Sequence, residues 1–387
     1  MGETIRDVVV VGAGYAGMRA ALRLAWRAPQ LAITLVDPRA TFSQRVRLHQ
    51  LACGQPVAAP SLADWCARAG ITFVQARARG LDRRRAILQT DGGELHYDRL
   101  VLALGSTAEL TTPGAHDHAY SIAHEAGARA LASRLQALPS GARVAVVGGG
   151  LTGIEAASEI AESFGQLSVQ LLTRATLGEG ALAPGGRARV LRAFARLGVT
   201  LREGFEVVAV EPGRVIGTQG AEAVDACVWS SGFRATPWAR EVGLPTGALD
   251  RLRVDRTLRC IDDPRIYGIG DAAAPEPARG APSLMSCRLA LPMAGVAADN
   301  LAGELRGRTP RSFTATDAGR CVSLGRELGL VQLHRTDGRL RDASLGGTAA
   351  AWTKERICRF TVWLLEREAN AAARARRRAL APAEVAA

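Results

Sequence analysis

At 387 residues and 40.8 kDa the chain is long enough for two or three compact domains, each burying its own core. Hydrophobic residues make up 48% and charged residues 22%, which excludes a disordered or collagen-like chain. The net charge of +12 invites a nucleic-acid partner, but Lys354 is the only lysine among 49 basic residues and alanine is abundant throughout, so the charge reads as coding bias and no nucleic acid is expected.

Met1 to Asp7 run straight into an apolar strand, without the charged start and apolar core of a signal peptide. No apolar stretch nears the roughly 20 residues that span a bilayer. A cytoplasmic protein with at most peripheral membrane contact is expected. Asp7 to Val11 then read as a strand buried on both faces of a parallel sheet. The strand ends on Gly12-Ala13-Gly14-Tyr15-Ala16-Gly17, a helix follows, and a second strand, Ala32 to Val36, closes on Asp37. In this βαβ unit Gly12 serves the tight turn, Gly14 lets backbone approach a pyrophosphate, and Gly17 lets the helix pack on the strand. The helix N-terminus offers free N–H groups and a positive dipole end to phosphates. Asp37 lies about 20 residues past Gly17, where a carboxylate accepts hydrogen bonds from ribose hydroxyls.

The same events recur. Arg143 to Val147 lead into Gly148-Gly149-Gly150-Leu151-Thr152-Gly153, a helix, and the strand Val169 to Leu172. After each unit come hairpins and a buried strand ending in glycine, at Gly105 and at Gly232. The chain therefore holds two copies of one dinucleotide-binding architecture. At the ribose position the second copy carries Thr173 and Arg174 in place of an acid, a pair that suits the 2′-phosphate of NADPH. The competing reading is that Arg174 is a solvated arginine at a strand end.

A third signal is Ile266 to Asp271, an apolar strand ending in Gly270-Asp271. A proline-rich loop and a helix over about 286–305 follow, which Pro292 is expected to start or kink. The remainder reads as a hairpin (Cys321 to Leu324, Leu328 to His334), a helix from about Thr353, and an Arg/Ala tail at 371–380. The terminal helix carries a broad apolar face of Ile357, Phe360, Val362, Trp363, Leu364 and Leu365, expected to be packed in place, while 369–387 are expected to be dispensable. Seven cysteines are scattered without a CxxC pair or zinc spacing, so reduced thiols and no metal site are expected. Cys287 stands apart for its place after Gly270-Asp271.

The sequence of motifs, two glycine turns and then Gly270-Asp271, resembles the pyridine nucleotide-dependent FAD oxidoreductase superfamily. The closest branch is that of the type II NADH dehydrogenases and apoptosis-inducing factor, which the exit Trp229-Ser230-Ser231-Gly232-Phe233-Arg234 resembles. The resemblance implies an α/β fold of two Rossmann-like domains and a small C-terminal domain. FAD is expected on 1–112 plus 236–310, NAD(P)H on 113–235, and the closing domain over 311–387. It further implies that Asp271 holds the ribityl chain, that Ala78 and Leu291 lie against FAD, and that Gly105 and Gly232 mark crossings between domains. Glu155 resembles a glutamate that places the nicotinamide beside the flavin, although an acid stabilised at a helix N-terminus reads equally well.

The resemblance also puts Phe42 to Gln50 near the flavin ring, where Arg45 and Arg47 would stabilise negative charge and His49 would move a proton. A surface helix facing water is the alternative. No redox cysteine pair stands near Ser43 to Gly54 or between Val147 and Ile160, so dithiol chemistry is not expected. The expected cofactors are FAD and NADPH, with NADH as the alternative. The acceptor is expected to be a quinone or another small organic molecule, with a ferredoxin-like protein or a flavin redox-signalling role as alternatives. A homodimer is compatible with the sequence.

Overall fold

Four consecutive valines favour extended backbone, and Val8 to Val11 are all buried in the centre of a five-stranded parallel sheet. The computed structural model describes residues 5–276, 285–314, 319–335 and 339–380. Across the first sheet the order is Ile266–Gly268, Arg99–Leu102, Asp7–Val11, Ala32–Val36 and Thr72–Val74. Val11 pairs with Val36 on one side and Leu102 on the other, and Leu102 pairs with Gly268. Gly12, Asp37, Ala103 and Ile269 therefore leave the sheet together at its carboxyl edge, where open parallel sheets bind their ligands.

The second sheet repeats the plan, with Thr200–Glu203, Ser168–Thr173, Arg143–Val147, Ala226–Trp229 and Tyr120–Ser121 in parallel order. Val147 pairs with Leu172 and with Trp229, so Gly148, Thr173 and Ser230 share its carboxyl edge. Each sheet carries one antiparallel three-stranded meander, over 78–96 and 207–223. The two halves are joined where Ser106–Ala108 pairs antiparallel with Phe233–Ala235. Gly105 (φ +73°) and Gly232 (φ +76°) sit just before these two strands, in the left-handed region that turns the chain without strain only at glycine.

The C-terminal region differs from the expected hairpin. A third strand, Leu340–Gly347, pairs with Leu328–His334, which pairs with Gly319–Leu324. Gln332, fully buried, locks this sheet to the second half: its Oε1 accepts from Ala183 N at 3.1 Å, and its Nε2 donates to Arg341 O at 2.5 Å. The terminal helix starts earlier than expected, at Thr348, and runs to Leu380, so the Arg/Ala stretch is helical rather than a tail. Alanine and arginine both favour helix, which explains the extension.

Of the apolar face expected on that helix, Leu365 is buried, whereas Ile357, Phe360 and Trp363 are about half exposed, with Phe360 and Trp363 stacked at 5.5 Å. The side that is buried is a small-residue stripe, Cys358, Ala369 and Ala372, interrupted by Lys354 and Glu368. Small residues bring the helix close to Tyr15–Arg27, and Glu368 accepts from Arg19 and Arg23 there, at 3.3 and 3.1 Å. The helix containing Pro292 spans Cys287–Glu304 and starts at the Ser286 cap rather than at the proline. The segment from Pro282 to Leu284 and the Cys287 side chain lie outside the described residues.

Candidate functional site

Two glycine turns face the cleft edges of the two sheets, and in each the three glycines have different reasons. A Cβ on Gly12 would overlap the Ala103 carbonyl, and one on Gly17 would overlap the Gly12 carbonyl. The second turn repeats this, Gly148 against Ser230 and Gly153 against the Gly148 carbonyl. The middle glycines, Gly14 and Gly150, have nothing within 4 Å of such a Cβ. Packing within the chain therefore does not require glycine at these two positions. What their bareness provides is open backbone at the N-termini of the helices Tyr15–Arg27 and Leu151–Ser163, a cradle that fits a dinucleotide pyrophosphate in both halves. Beside Gly14, Tyr15 turns inward, its ring edge-on to Phe42 at 5.0 Å, and Ala16 is buried.

Asp37 is 3% exposed and takes four hydrogen bonds, from Ala13 N at 2.7 Å and from the backbone and guanidinium of Arg39 at 2.8 to 2.9 Å. Burial alone would push its carboxyl up, but Arg39 and the two amides outweigh this and hold it below the ordinary carboxylate range. Gln75 reaches Pro38 O and Val74 O accepts from Asp37 N, so the segment leading to Ala78 closes this end of the cleft.

Asp271 stands in the short turn Gly270–Ala272 at the end of Ile266–Gly268. Ser106 Oγ donates to its Oδ2 at 2.7 Å, and Arg45 lies 3.9 Å from the same oxygen while donating to Ser106 O at 2.8 Å. Gly270 (φ +68°) lets this turn lie on Ala16, which brings Asp271 to the first glycine turn. Leu291 is buried on the following helix, and its carbonyl accepts from Arg19 at 2.5 Å.

In the second half Thr173 is buried, 6% exposed, and its hydroxyl donates to Ala175 O at 3.1 Å, so it shapes the turn around Gly149. Arg174 is exposed and reaches Glu206 at 3.3 Å. Leu151 and Thr152 open the helix at half-buried positions.

The polar segment after Phe42 does not form one cluster. Arg45 points to Asp271 and Ser106. Arg47 forms a paired fork with Glu355 of the terminal helix, 2.9 Å on both sides. His49 is 4% exposed, 3.8 Å from Glu155 and 3.9 Å from Glu159. The surface-helix alternative fails, because all four residues of the helix Leu48–Leu51 are buried. Burial pushes His49 down to about 3, against the pull of Glu155, so it is neutral at neutral pH.

Glu155 is not a free helix-start acid. Lys354 Nζ donates to it, as does Ser323 N at 3.1 Å, and Lys354 also donates to Ser323 Oγ at 2.8 Å. Burial pushes Glu155 up, but Lys354, His49 and the Ser323 amide together hold it below the ordinary value. Three segments far apart in sequence thus meet here. Beside them lies a cleft of about 250 Å³ lined by Gln50, Ser323, Arg326, Trp352, Lys354 and Cys358, among others.

Residues 6–294, more than half of the chain, match the sequence profile of the family described as pyridine nucleotide-disulphide oxidoreductase. The chain belongs to this family. An NADH dehydrogenase-like protein of Mycobacterium tuberculosis is 32% identical over 326 residues, covering 77% of this chain and 80% of that protein. The demethylphylloquinone reductase of Synechocystis is 26% identical over 388 residues, covering 92% of each. The sulfide:quinone oxidoreductase of Aquifex aeolicus shares the fold, with a TM-score of 0.81 at 20% identity over 95% of this chain and 92% of that one. As a family member the protein is an oxidoreductase that binds FAD and a nicotinamide dinucleotide. No helix among the described residues is long and apolar enough to cross a membrane.

Sequence reasoning missed Arg39, Ser106, Glu159, Ser323 and Lys354 as members of the site. For four of these the signal is weak, since they are common residue types in unremarkable contexts. Lys354 carried one: a single lysine kept in a chain that otherwise uses arginine points to a role that a guanidinium cannot fill.

Proposed function

We propose that the protein is an FAD-dependent, NADPH-preferring reductase of a quinone or a similar small organic acceptor. The observation that carries this reading is the pairing of Glu155 with Lys354 at the edge of the cleft lined by Gln50, Ser323 and Trp352. That cleft offers an indole face, a cation and a carboxylate within one small volume, the groups needed to hold a planar carbonyl compound and to supply protons. The quinone reductases among the relatives support the same class.

In this reading FAD is held by 1–112 plus 236–310 and the nicotinamide dinucleotide by 113–235. Gly12, Gly14, Tyr15, Ala16 and Gly17 form the first phosphate cradle, and Gly148, Gly150, Leu151, Thr152 and Gly153 the second. Asp37 takes the adenosine ribose once Arg39, 44% exposed, swings off its carboxylate. Asp271 binds the ribityl hydroxyls, and Arg45 places positive charge beside them. Arg174 takes the 2′-phosphate. When bound, the flavin supplies acceptance of a hydride from the nicotinamide and delivery of two electrons to the acceptor. Glu155 orients the nicotinamide end and, through Lys354, holds the charge balance of the crevice.

Anaerobic NADPH oxidation with a water-soluble naphthoquinone, with an added iron–sulfur protein, or with neither, tests the proposal. Turnover with the quinone supports it. Turnover with the iron–sulfur protein alone replaces it with an electron-transfer role.

A further inference from the structure

Glu155 and Glu159 lie one turn apart on the helix Leu151–Ser163 and both face the buried segment Leu48–Leu51. His49 sits between them, Nδ1 3.8 Å from Glu155 Oε2 and Nε2 3.9 Å from Glu159 Oε2. Glu159 is 0% exposed. Among the described residues its Oε2 and the His49 Nε2 have no hydrogen-bond partner. A buried polar atom left unmatched loses its hydration with nothing in return. A proton on Glu159 Oε2 directed at His49 Nε2, with a small side-chain shift to close the gap, satisfies both. It also fixes the imidazole with its hydrogen on Nδ1, aimed at Glu155.

The charges around the imidazole agree with that arrangement. Glu155 and Glu159 face it from one helix, Lys354 from the terminal helix, Arg326 from the C-terminal sheet, and Arg47 from its own segment. Burial pushes Glu159 up, beyond what Gln55 and Arg326 offset, whereas Glu155 is held down, so Glu159 is the one of the two carboxyls that binds a proton more readily. The row has an outer and an inner end. Outside, Glu159 Oε1 accepts from the half-buried Gln55 at 2.5 Å. Inside, Glu155 meets Lys354 at the cleft.

We propose that Glu159, His49 and Glu155 form a proton relay that carries a proton from the outer surface to the acceptor cleft. The inference rests on the quinone-type reading above. A quinone becomes a quinol by taking two electrons and two protons, of which the hydride of NADPH accounts for two electrons and one proton. The relay supplies the second proton. Glu159 releases it to His49 Nε2 as the Nδ1 proton passes to Glu155 and on to the acceptor oxygen; a flip of the imidazole then turns its protonated nitrogen back toward Glu155, and solvent reprotonates Glu159. Glu159 and His49 are positioning residues that act through Glu155.

The test uses the full-length, flavin-loaded protein with His49→Gln and Glu159→Gln. Reduced protein is mixed with a water-soluble naphthoquinone, which takes electrons and protons, and with ferricyanide, which takes electrons alone. Both variants should slow quinone reduction at least about tenfold, below the ~100-fold or more of a direct general acid because the relay acts at one remove. The ferricyanide rate should stay unchanged. The wild-type quinone rate should fall as pH rises through the Glu159 titration, and Glu159→Gln should remove that fall. Independently of activity, the infrared spectrum at neutral pH should show a protonated carboxyl band that Glu159→Gln abolishes. A missing band overturns the relay even where a variant does not fold. An unchanged ratio of quinone to ferricyanide rates in both variants, or equal loss of the two rates, also overturns it. A wild type that reduces ferricyanide but no quinone overturns the acceptor reading and the relay with it, whereas an active wild type with unaffected variants overturns the relay alone.

Discussion

Ser106 Oγ donates to Asp271 Oδ2 at 2.7 Å, tying the first exit strand to the Gly-Asp turn although 165 positions separate the two residues in the chain. Among the described residues no donor reaches Asp271 Oδ1, which suits the proposed bond from that oxygen to a sugar hydroxyl. Asp271→Ala should weaken FAD retention about tenfold to a hundredfold, the worth of a charge-assisted hydrogen bond of roughly 1.5–3 kcal/mol. Ser106→Ala should have a smaller effect, because it removes a group that orients Asp271 rather than the carboxylate proposed to hold the flavin. Flavin absorbance after gel filtration measures both, and an Asp271→Ala protein with full FAD content would refute the assignment.

Arg174 and Glu206 hold each other on the surface at 3.3 Å, with side chains 75% and 48% exposed. Such a pair is worth little in itself, so a 2′-phosphate can take the guanidinium from Glu206 at small cost. Arg174→Ala should lower kcat/KM for NADPH about tenfold to a hundredfold and leave NADH nearly unchanged. Glu206→Gln should raise NADPH efficiency by freeing Arg174. Equal loss with both cofactors on removing Arg174 would mean that it serves the fold.

How much of this was legible beforehand depended on whether the determinant was local. The glycine turns were readable because strand, turn and helix are contiguous and each glycine has its own steric cause. The third C-terminal strand, Leu340–Gly347, was not, since its sequence Leu-Arg-Asp-Ala-Ser-Leu-Gly-Gly lacks a clear alternation and its place is set by pairing with Leu328–His334. The cluster after Phe42 was expected beside the flavin as one group, and its division was not legible. Arg45, Arg47 and His49 are close in sequence, and only packing against Ser106, the terminal helix and the second glycine helix sends them three ways. Glu155 showed its helix position, while its partner Lys354 lies 199 positions away.

Glu355 accepts from Arg47 at 2.9 Å and from Arg359 at 2.7 Å, and these guanidinium groups bring its carboxyl down to about 2 even though partial burial pushes the other way. Its ordinary value is 4.5. A carboxyl with a lowered folded value stabilises fully above its unfolded value, and that stability is lost as pH falls through the window from 4.5 to about 2. The loss is on the order of 1 kcal/mol for a part-exposed group, roughly 2–4 °C in a domain of about 200 residues. Thermal melts across that window should show a steeper fall in Tm for the wild type than for Glu355→Gln. Parallel curves would mean that the fork contributes nothing to holding the terminal helix.

Glu368 is the point at which the terminal helix reaches the FAD-side glycine turn. It is 3% exposed and accepts from Arg19 and Arg23, both on the helix whose N-terminus carries Gly14 and Tyr15. Ala369 and Ala372 behind it are fully buried, and Arg376 packs over Gly70, so residues 369–376 are packed in place within the segment expected to be dispensable for activity. Glu368→Ala leaves Arg19 without its carboxylate partner and Arg23 with Asp299 alone, a change expected to cost about 1–3 kcal/mol. Truncation after Glu368 keeps the ion pairs but removes the small-residue contact, and Ala372→Leu overfills it at a cost of about 1–3 kcal/mol. All three changes should lower Tm and also speed flavin loss, because the helix they loosen supplies the phosphate cradle. Dissociation of FAD followed by fluorescence after dilution separates this from simple destabilisation. If the truncated chain holds flavin as tightly as the full chain while its Tm drops, the terminal helix stabilises the C-terminal sheet only, and the coupling through Glu368 is absent.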